Sequence, residues 1–353
     1  MYAEDTPKVL LVGLGAVGRA VGVRLAAGSR CEVVGAIDPA PGLAGTRLDA
    51  IIPGAVPEAR ITAAIADAAD ADIAFVATTS FIDQVEPLIN ALLDRGMNVV
   101  SICEELGFGF FDHEPVARRI DERARDAGLT VLGTGCNPGI LLDTLPLLLS
   151  SLTLDVARVA MRRTAEMSGY GGILSKFGFG LTAVQFAAER DAGRVIGHVG
   201  FRESVAALAD GLGWELDEIV VDDPAPVLLA ESAREATHVT LEAGTVAVIR
   251  HAARGVIDGE TVIEAVIDFG IFRDGDPFPE GGAWRIESAG QTLEFTAGQI
   301  DSYASTVAVA ANAIPRVPGA APGLLTMADI PVRRFAARAN AADHSIPAPA
   351  AAR

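Results

Sequence analysis

The sequence contains few cysteines, and their spacing suits neither a metal site nor a disulfide framework. Three occur among 353 residues, at Cys31, Cys103 and Cys136. Their number is odd and no two of them have the spacing of zinc ligands. We therefore expect no bound metal and a reducing compartment, the cytoplasm.

Signals for secretion or membrane insertion are also missing. The opening residues MYAEDTPKVLLVG have no basic region before their apolar run, so they do not resemble a signal peptide. The longer apolar stretches are interrupted by Gly, Arg or Asp within the span that a membrane helix needs. We expect a soluble protein that makes no membrane contact.

Positive charge is scarce. Lysine and arginine together number 28 against 46 acidic residues, which gives a formal net charge of -18, and Lys8 and Lys176 are the two lysines. Such a surface repels phosphate backbones and anionic lipid, so nucleic acid is not an expected partner.

What is abundant is hydrophobic sequence, arranged in two different patterns. Residues 8–135 alternate short apolar strands with helical segments, for example helices over 81–96 and 113–128. This alternation predicts an α/β fold, a Rossmann doubly wound parallel sheet. From about residue 154 consecutive strand-like runs follow, interrupted by one helix over about 180–212, which predicts an α+β domain with a mainly antiparallel sheet.

These patterns predict four segments. They are a dinucleotide-binding domain over 1–136, an α+β substrate and dimerisation domain over 137–300, a C-terminal helix and segment returning toward the nucleotide domain over 301–335, and a low-complexity tail over 336–353. Within them, helices are expected over 137–150 and 301–317.

A glycine-rich loop joins the first strand to the first helix. In VGLGAVG, Gly13 permits a tight turn, Gly15 lets the backbone approach a pyrophosphate, and Gly18 lets the helix pack on the strand. The helix N-terminus, at Ala16 and Val17, faces the phosphates. Asp38, at the end of the second strand, would accept hydrogen bonds from the adenosine ribose. The loop predicts binding of NAD or NADP.

The choice between the two nucleotides stays open. Asp38 favours NAD because a carboxylate repels a 2′-phosphate, whereas Arg47 could pair with that phosphate. Thr78, Thr79 and Ser80 end another strand, where they would meet the ribose and nicotinamide. A helix N-cap at Thr79 or Ser80 is an equally good interpretation of the same residues.

Two adjacent glutamates, Glu104 and Glu105, follow the strand NVVSIC. Ligands of doubly wound sheets bind beyond the carboxyl ends of the strands, so this is a suitable position for a group that transfers a proton. A carboxylate close to the phenylalanines of GFGFF would be partly desolvated. Since two charges cannot be buried together cheaply, we expect one glutamate to face the site and its neighbour to be structural.

Other candidates have ordinary structural interpretations. His251 could line a pocket or be a satisfied half-buried histidine, and Lys176 could bind an anion or lie on the surface. Arg162 and Arg163 could bind a carboxylate or form salt bridges. No tyrosine precedes a lysine by four positions, which disfavours the short-chain alcohol dehydrogenase mechanism.

Five stretches of this sequence resemble those of 2,4-diaminopentanoate dehydrogenases and native amine dehydrogenases, whose N-terminal domain is like that of dihydrodipicolinate reductase. They are VGLGAVGRA, GAIDPAPGLAGTRL, SICEEL, GTGCNPGILLDTLP and the segment from DSYAS to NAIPRVPGAAPGLLT. The resemblance spans most of the chain. It implies a homodimer that catalyses NAD(P)-dependent, reversible deamination of a primary amine to a ketone or aldehyde plus ammonia.

The resemblance implies that the acid–base group is Glu104 or Glu105, with Glu104 preferred. It also implies that the chain passes the nicotinamide at Asn137, Pro138 and Gly139. The segment TAEMSGYGGILSKFGFG departs from the family pattern, so the amine, its stereochemistry and its pathway stay open.

Two alternatives remain. Cys136 could be the thiol nucleophile of a semialdehyde or acylating aldehyde dehydrogenase, although no histidine partner is evident. The chain could also be a non-catalytic NAD-binding regulatory protein.

Overall fold

The structure, a computed structural model, describes residues 6–28, 30–170, 172–237 and 239–331. The described chain forms two compact units. The first contains the residues up to Ile140 and those from Tyr303 onward, and the second runs from Leu141 to Ser302. The tail expected over 336–353 lies outside the described residues. No helix within the described ranges is long and apolar enough to cross a bilayer.

The strands of the described chain are, in order, β1 (Lys8–Val12), β2 (Glu32–Ile37), β3 (Ile61–Thr62), β4 (Ile73–Val76), β5 (Asn98–Ser101), β6 (Thr130–Gly133), β7 (Val156–Glu166), β8 (Glu218–Val221), β9 (Ala225–Leu229), β10 (Arg234–Glu235), β11 (Thr240–Leu241), β12 (Val246–Ile257), β13 (Glu260–Gly270), β14 (Gly282–Ser288), β15 (Thr292–Ala297) and β16 (Gly323–Leu325). The α-helices are α1 (Ala16–Ala26), α2 (Ile82–Asp94), α3 (Glu114–Ala127), α4 (Thr144–Ser150), α5 (Ala183–Asp191), α6 (Phe201–Leu212) and α7 (Ser302–Ala313).

The first unit is built on a seven-stranded sheet in the order β16-β6-β5-β4-β1-β2-β3. Every neighbouring pair is parallel. The chain winds away from β1 in both directions, so a crevice forms beyond the carboxyl ends of β1 and β4, where such sheets bind ligands. The predicted doubly wound sheet is confirmed.

The core of this unit explains why these segments form strands and helices. Leu10 of β1 and Val76 of β4 pack with Ile89 of α2 and Ile120 of α3 in one buried cluster. Apolar residues at helical spacing on α2 and α3 therefore cover one face of the sheet. Gly128, with a φ of 66°, ends α3 in the left-handed conformation that favours glycine.

The second unit contains a sheet in the order β15-β14-β7-β13-β12-β8, with β9 also paired to β12. Its pairs are antiparallel except β7 with β13, which are parallel. Those two strands are far apart in the chain, so their register could not be inferred from hairpin turns. The α+β class with a mainly antiparallel sheet is confirmed.

Three predicted helices are shorter than expected. The helix expected over 180–212 is two helices, α5 and α6, because Gly193, Gly197 and Gly200 between them have φ values of 70°, 65° and 99°. In the segment 137–150 only α4 is helical, and the side chain of Asp143 caps it by accepting from the Thr144 N–H. The helix over 301–317 ends at Ala313 and continues as the 3₁₀ segment Ile314–Gly319, which contains Pro315 and Pro318.

Candidate functional site

The glycine loop combines two tightly packed glycines with one open glycine. A Cβ on Gly13, whose φ is +90°, would lie 2.4 Å from the Ala77 carbonyl oxygen, and one on Gly18 would lie 2.0 Å from the Gly13 oxygen. A Cβ on Gly15 would meet no atom within 4 Å. Gly13 and Gly18 are therefore required by packing, whereas Gly15 leaves a space that a ligand can enter.

Three side chains hold this loop from outside. The Leu14 N–H donates to Asp38 Oδ2 at 2.8 Å, and Arg19 Nε donates to the Leu14 carbonyl oxygen at 2.6 Å. The Tyr303 hydroxyl donates to the Ala16 carbonyl oxygen at 3.0 Å. Arg19 and Tyr303 are not among the residues that the sequence predicted at this site. A basic residue at that position of α1 could have suggested the first, but no local pattern indicates the second, which lies 287 positions away.

The loop fits a dinucleotide. Ala16 and Val17 begin α1, and the first turn of that helix contains no acidic residue that would compete with a phosphate for its N–H groups. Asp38 is only partly buried, and its second oxygen accepts from the Ala40 N–H at 2.9 Å. An anchored carboxylate at the end of β2 is suited to accept hydrogen bonds from ribose hydroxyls.

Arg47 is occupied by a neighbour. Its Nε donates to Asp49 Oδ1 at 2.9 Å and a second nitrogen contacts the other oxygen of the same carboxylate. Its charge is therefore already paired, which reduces its value as a ligand for a 2′-phosphate.

The loop after β4 contains the next group of expected cofactor contacts. Thr78 is exposed, whereas Thr79 and Ser80 are partly buried. Thr79 Oγ1 donates to Gln84 Oε1 at 2.7 Å and accepts from the Phe81 N–H at 3.3 Å. Thr79 thus contacts the residues that lead into α2, but the N-cap residue of that helix is Phe81, so the predicted cap at Thr79 or Ser80 is wrong. Thr78 stays accessible.

The two glutamates begin the 3₁₀ turn Glu104–Phe108, directly after β5. Glu105 Oε2 accepts from the Ile82 N–H at 2.7 Å and lies 3.6 Å from His113 Nε2. The Glu105 side chain is only 14% exposed. Glu104 is also partly buried. Glu105 therefore holds the first turn of α2, and Glu104 directly precedes it in the same 3₁₀ turn.

The segment after β6 packs against this turn. A Cβ on Gly107 would lie 2.7 Å from Pro138 Cβ, and one on Gly133 would lie 2.3 Å from the Leu106 carbonyl oxygen. The bond between Asn137 and Pro138 is cis. The structure thus brings the glutamate turn and the Asn137–Pro138 segment into contact at the carboxyl edge of the sheet.

The cysteines are poorly placed for nucleophilic chemistry. Cys136 is 3% exposed and Cys103 is 1% exposed. Burial raises the pKa of the Cys103 thiol to about 12. The aldehyde dehydrogenase alternative needs a thiol at Cys136 that a substrate can reach, so the burial of Cys136 disfavours it. Within the described ranges no three His, Cys, Asp or Glu residues form a group that could hold a metal ion.

The remaining candidates lie in the second unit and have structural contacts. His251 is buried, and its Nδ1 accepts from the His198 N–H at 3.0 Å. Arg162 pairs with Asp268 at 3.0 Å, and the buried Arg163 donates to Ser302 Oγ at 3.0 Å. Lys176 is exposed. His251 is thus the satisfied histidine of the structural interpretation.

Comparison with known proteins identifies the family. The family model of the 2,4-diaminopentanoate dehydrogenase C-terminal domain matches residues 140–345. A 2,4-diaminopentanoate dehydrogenase from Acetoanaerobium sticklandii is 30% identical over 332 residues, which cover 93% of this chain and 94% of the relative. The chain belongs to the 2,4-diaminopentanoate dehydrogenase family.

Solved structures agree on the fold of this family member. An amine dehydrogenase from Mycobacterium smegmatis superposes with a TM-score of 0.80 at 22% identity, covering 95% of this chain and 98% of that one. An oxidoreductase from Agrobacterium radiobacter, solved with NAD+, L-tartaric acid and magnesium, has a TM-score of 0.52 at 12% identity, with 92% of each chain covered. The predicted family is confirmed, and with it the class of NAD(P)-dependent oxidoreductases that act on amines.

Proposed function

We propose that this 2,4-diaminopentanoate dehydrogenase family member catalyses the reversible oxidative deamination of a primary amine to a ketone or aldehyde plus ammonia, with Glu104 as the acid–base group. One observation carries the assignment. A glycine loop with an open Gly15 and a turn that begins with a glutamate lie at the carboxyl edge of the same parallel sheet.

The first unit supplies the groups that would hold NAD or NADP. The N–H groups of Ala16 and Val17 would bind the pyrophosphate, Asp38 the adenosine ribose, and Thr78 and the Asn137–Pro138 segment would border the nicotinamide. A nicotinamide bound there accepts a hydride from the amine carbon, or returns it in reductive amination.

Glu104 would then manage the protons. An ammonium ion cannot lose a hydride readily, so the carboxylate first takes a proton from the substrate nitrogen and passes it to solvent. Its negative charge stabilises the iminium cation left after hydride loss. The same carboxylate takes a proton from the water that attacks the iminium carbon and gives it to the nitrogen of the resulting carbinolamine. As ammonia leaves, the carboxylate takes the remaining hydroxyl proton, and the carbonyl forms.

The assignment of this role to Glu104 rests on what its neighbour does. The Glu105 carboxylate accepts a backbone N–H of α2 and lies beside His113. Such fixed contacts suit a structural anchor, but they hinder a base that must exchange protons with a substrate. Glu105 is therefore the structural member of the pair.

The charges near the adenosine ribose site favour NAD over NADP as the cofactor of this protein. Asp38 places a negative charge where a 2′-phosphate would lie, and Arg47 is paired with Asp49 instead of being available to that phosphate. Arg47 therefore does little to offset the repulsion from Asp38.

We further propose a cytoplasmic homodimer joined through the second unit. Cys31, Cys103 and Cys136 form no disulfide with one another, as a reducing compartment favours. His251 and Gly255 of β12 face α6, and the opposite alternation of the sheet contains charge. Arg162 and Arg250 flank Asp268, and Arg158 pairs with Glu264. A row of alternating positive and negative side chains can pair with the same row of a second subunit across a two-fold axis.

A substrate scan tests the reaction directly. The protein is incubated with ammonia, NADH or NADPH and a series of ketones, aldehydes and the oxo acid related to 2,4-diaminopentanoate, while nucleotide absorbance is followed. Consumption of nucleotide only when ammonia and a carbonyl are both present supports the proposal. Consumption that does not need ammonia would replace it with an alcohol or aldehyde dehydrogenase.

A further inference from the structure

Glu105 connects segments that follow two neighbouring strands. Its backbone N–H donates to the Ser80 carbonyl oxygen at 3.2 Å, and its carboxylate accepts from the Ile82 N–H at 2.7 Å. Ser80 and Ile82 lie in the loop after β4 and in the first turn of α2, whereas Glu105 follows β5. One residue thus attaches the acid–base turn to the cofactor loop beside it at two points.

The carboxylate also replaces a missing helix cap. Phe81 is the N-cap residue of α2, and its side chain makes no capping hydrogen bond. A carboxylate at a helix N-terminus satisfies an N–H that has no partner within the helix and interacts favourably with the helix dipole. His113, the N-cap residue of α3, adds a third contact at 3.6 Å.

The geometry of a 3₁₀ turn makes this anchor relevant to its neighbour. Such a turn has about three residues per turn, so Glu104, Glu105 and Leu106 point in three directions roughly 120° apart. Leu106 is 1% exposed and packs in the core, and Glu105 is fixed at α2. The third direction is left to Glu104.

The third direction can be located from Gly107. Residues three apart are eclipsed in a 3₁₀ turn, so Glu104 and Gly107 share a side. A Cβ on Gly107 would lie 2.7 Å from Pro138 Cβ. Glu104 therefore lies on the side of the turn that faces the Asn137–Pro138 segment, the segment expected to border the nicotinamide.

We propose that Glu105 is a positioning residue, which aims Glu104 at the nicotinamide side of the crevice by fixing the turn to the start of α2. The proposal rests on the proposed function, because it assigns the proton transfer to Glu104. Glu105 touches no reacting atom in this account.

Three variants test it. Glu105→Ala removes the anchor, Glu105→Gln keeps an oxygen that accepts from Ile82, and Glu86→Ala is the matched control. Glu86 is also on α2, is 16% exposed and pairs with Arg119, but it lies away from the start of the helix. Each variant is assayed for kcat and KM in reductive amination, for its pH–rate profile, for NADH affinity and for Tm.

We expect Glu105→Ala to lower kcat by about 10- to 100-fold, as small misplacements of a catalytic group do. Glu105→Gln should recover most of that loss, and Glu86→Ala should change Tm without changing kcat. The pH at which the rate falls should be the same in Glu105→Gln and wild type, because the proton carrier is unchanged. NADH affinity should stay within about threefold, since the glycine loop is intact.

Two results would overturn the proposal. If Glu105→Ala lowers Tm but leaves kcat unchanged, Glu105 is only a helix cap. If Glu105→Gln loses its rate and its pH dependence together, Glu105 is itself the acid–base group.

A wild type that turns over no amine would remove the proposed function but not this test. Amide hydrogen exchange then decides, because Glu105→Ala should speed exchange across residues 80–82 and 104–106 relative to Glu86→Ala. Unchanged exchange in both segments would contradict the anchor.

Discussion

At the scale of single residues, the glycine loop separates positions that hold the fold from positions that admit a ligand. Gly18 packs against the Gly13 carbonyl so closely that any side chain displaces backbone, whereas Gly15 has open space and an ordinary φ of -66°. The two glycines therefore predict opposite outcomes on substitution.

Gly15→Leu should leave the protein folded and weaken NADH binding roughly 100-fold or more, since excluding the pyrophosphate removes several kcal/mol at about 1.4 kcal/mol per tenfold. Tm and NADH fluorescence titration measure the two effects. Gly290→Leu is the control, because Gly290 is equally open but lies in the second unit. Gly18→Ala should instead lower Tm. Unchanged NADH affinity in Gly15→Leu would contradict the placement of the pyrophosphate.

A second residue-scale prediction concerns nucleotide choice. Asp38→Asn keeps an oxygen for the Leu14 N–H and removes the charge, so the preference for NADH over NADPH should fall about tenfold, in line with roughly 1 to 2 kcal/mol of repulsion. Arg47→Gln should leave the ratio within about twofold, because Arg47 is paired with Asp49. Steady-state kcat/KM with both nucleotides gives the ratio. A wild type that strongly prefers NADPH would contradict the role given to Asp38.

At the scale of elements, two buried histidines of the second unit, His198 and His251, form a cluster that should respond to acid. His198 and His251 both lie edge-on to Phe201, with ring centres 5.0 Å away. Burial lowers the pKa of His198 to about 3 and that of His251 to about 4. Both are neutral in the folded protein, and the unfolded chain takes up their protons first as the pH falls below about 6.5.

The free energy of unfolding should therefore be steady above pH 6.5 and fall between pH 6.5 and about 4, by about 1.4 kcal/mol per pH unit for each histidine. Thermal unfolding across this range measures the slope. His198→Leu removes one proton-binding group, so its slope should be shallower than that of the wild type. An equal slope in both proteins would show that other groups control acid unfolding.

Elements also show where sequence reasoning succeeds and where it stops. The strands beside the glycine loop were predictable because each is a short, mostly buried apolar run. Helices α2 and α3 were predictable because each buries an apolar pattern at helical spacing and is followed by a glycine. The break between α5 and α6 was not, since the glycines that cause it are single interruptions of a helical pattern. The contact of Glu105 with α2 could not be predicted either, because it depends on an N–H that lies 23 positions earlier.

At the scale of the whole molecule, the proposed dimer depends on the charged face of the second sheet. Arg162→Glu combined with Arg250→Glu should reverse the row beside Asp268 and raise the dimer dissociation constant at least about tenfold, because like charges would then meet. Light scattering at micromolar concentration gives the mass. Arg123→Glu on α3 is the control, as it pairs with Asp94 in the first unit. A wild type that is monomeric would contradict the dimer itself.

One carboxylate, that of Glu104, is central to the proposed hydride transfer between the nicotinamide and the amine carbon. The most direct measurement is reductive amination of a ketone with ammonia by the wild type and Glu104→Gln, with NADH affinity measured on the same samples. We predict that Glu104→Gln binds NADH as the wild type does and loses about 10²–10⁴ in kcat, the usual effect of removing a general base. Turnover near that of the wild type in Glu104→Gln would contradict the account.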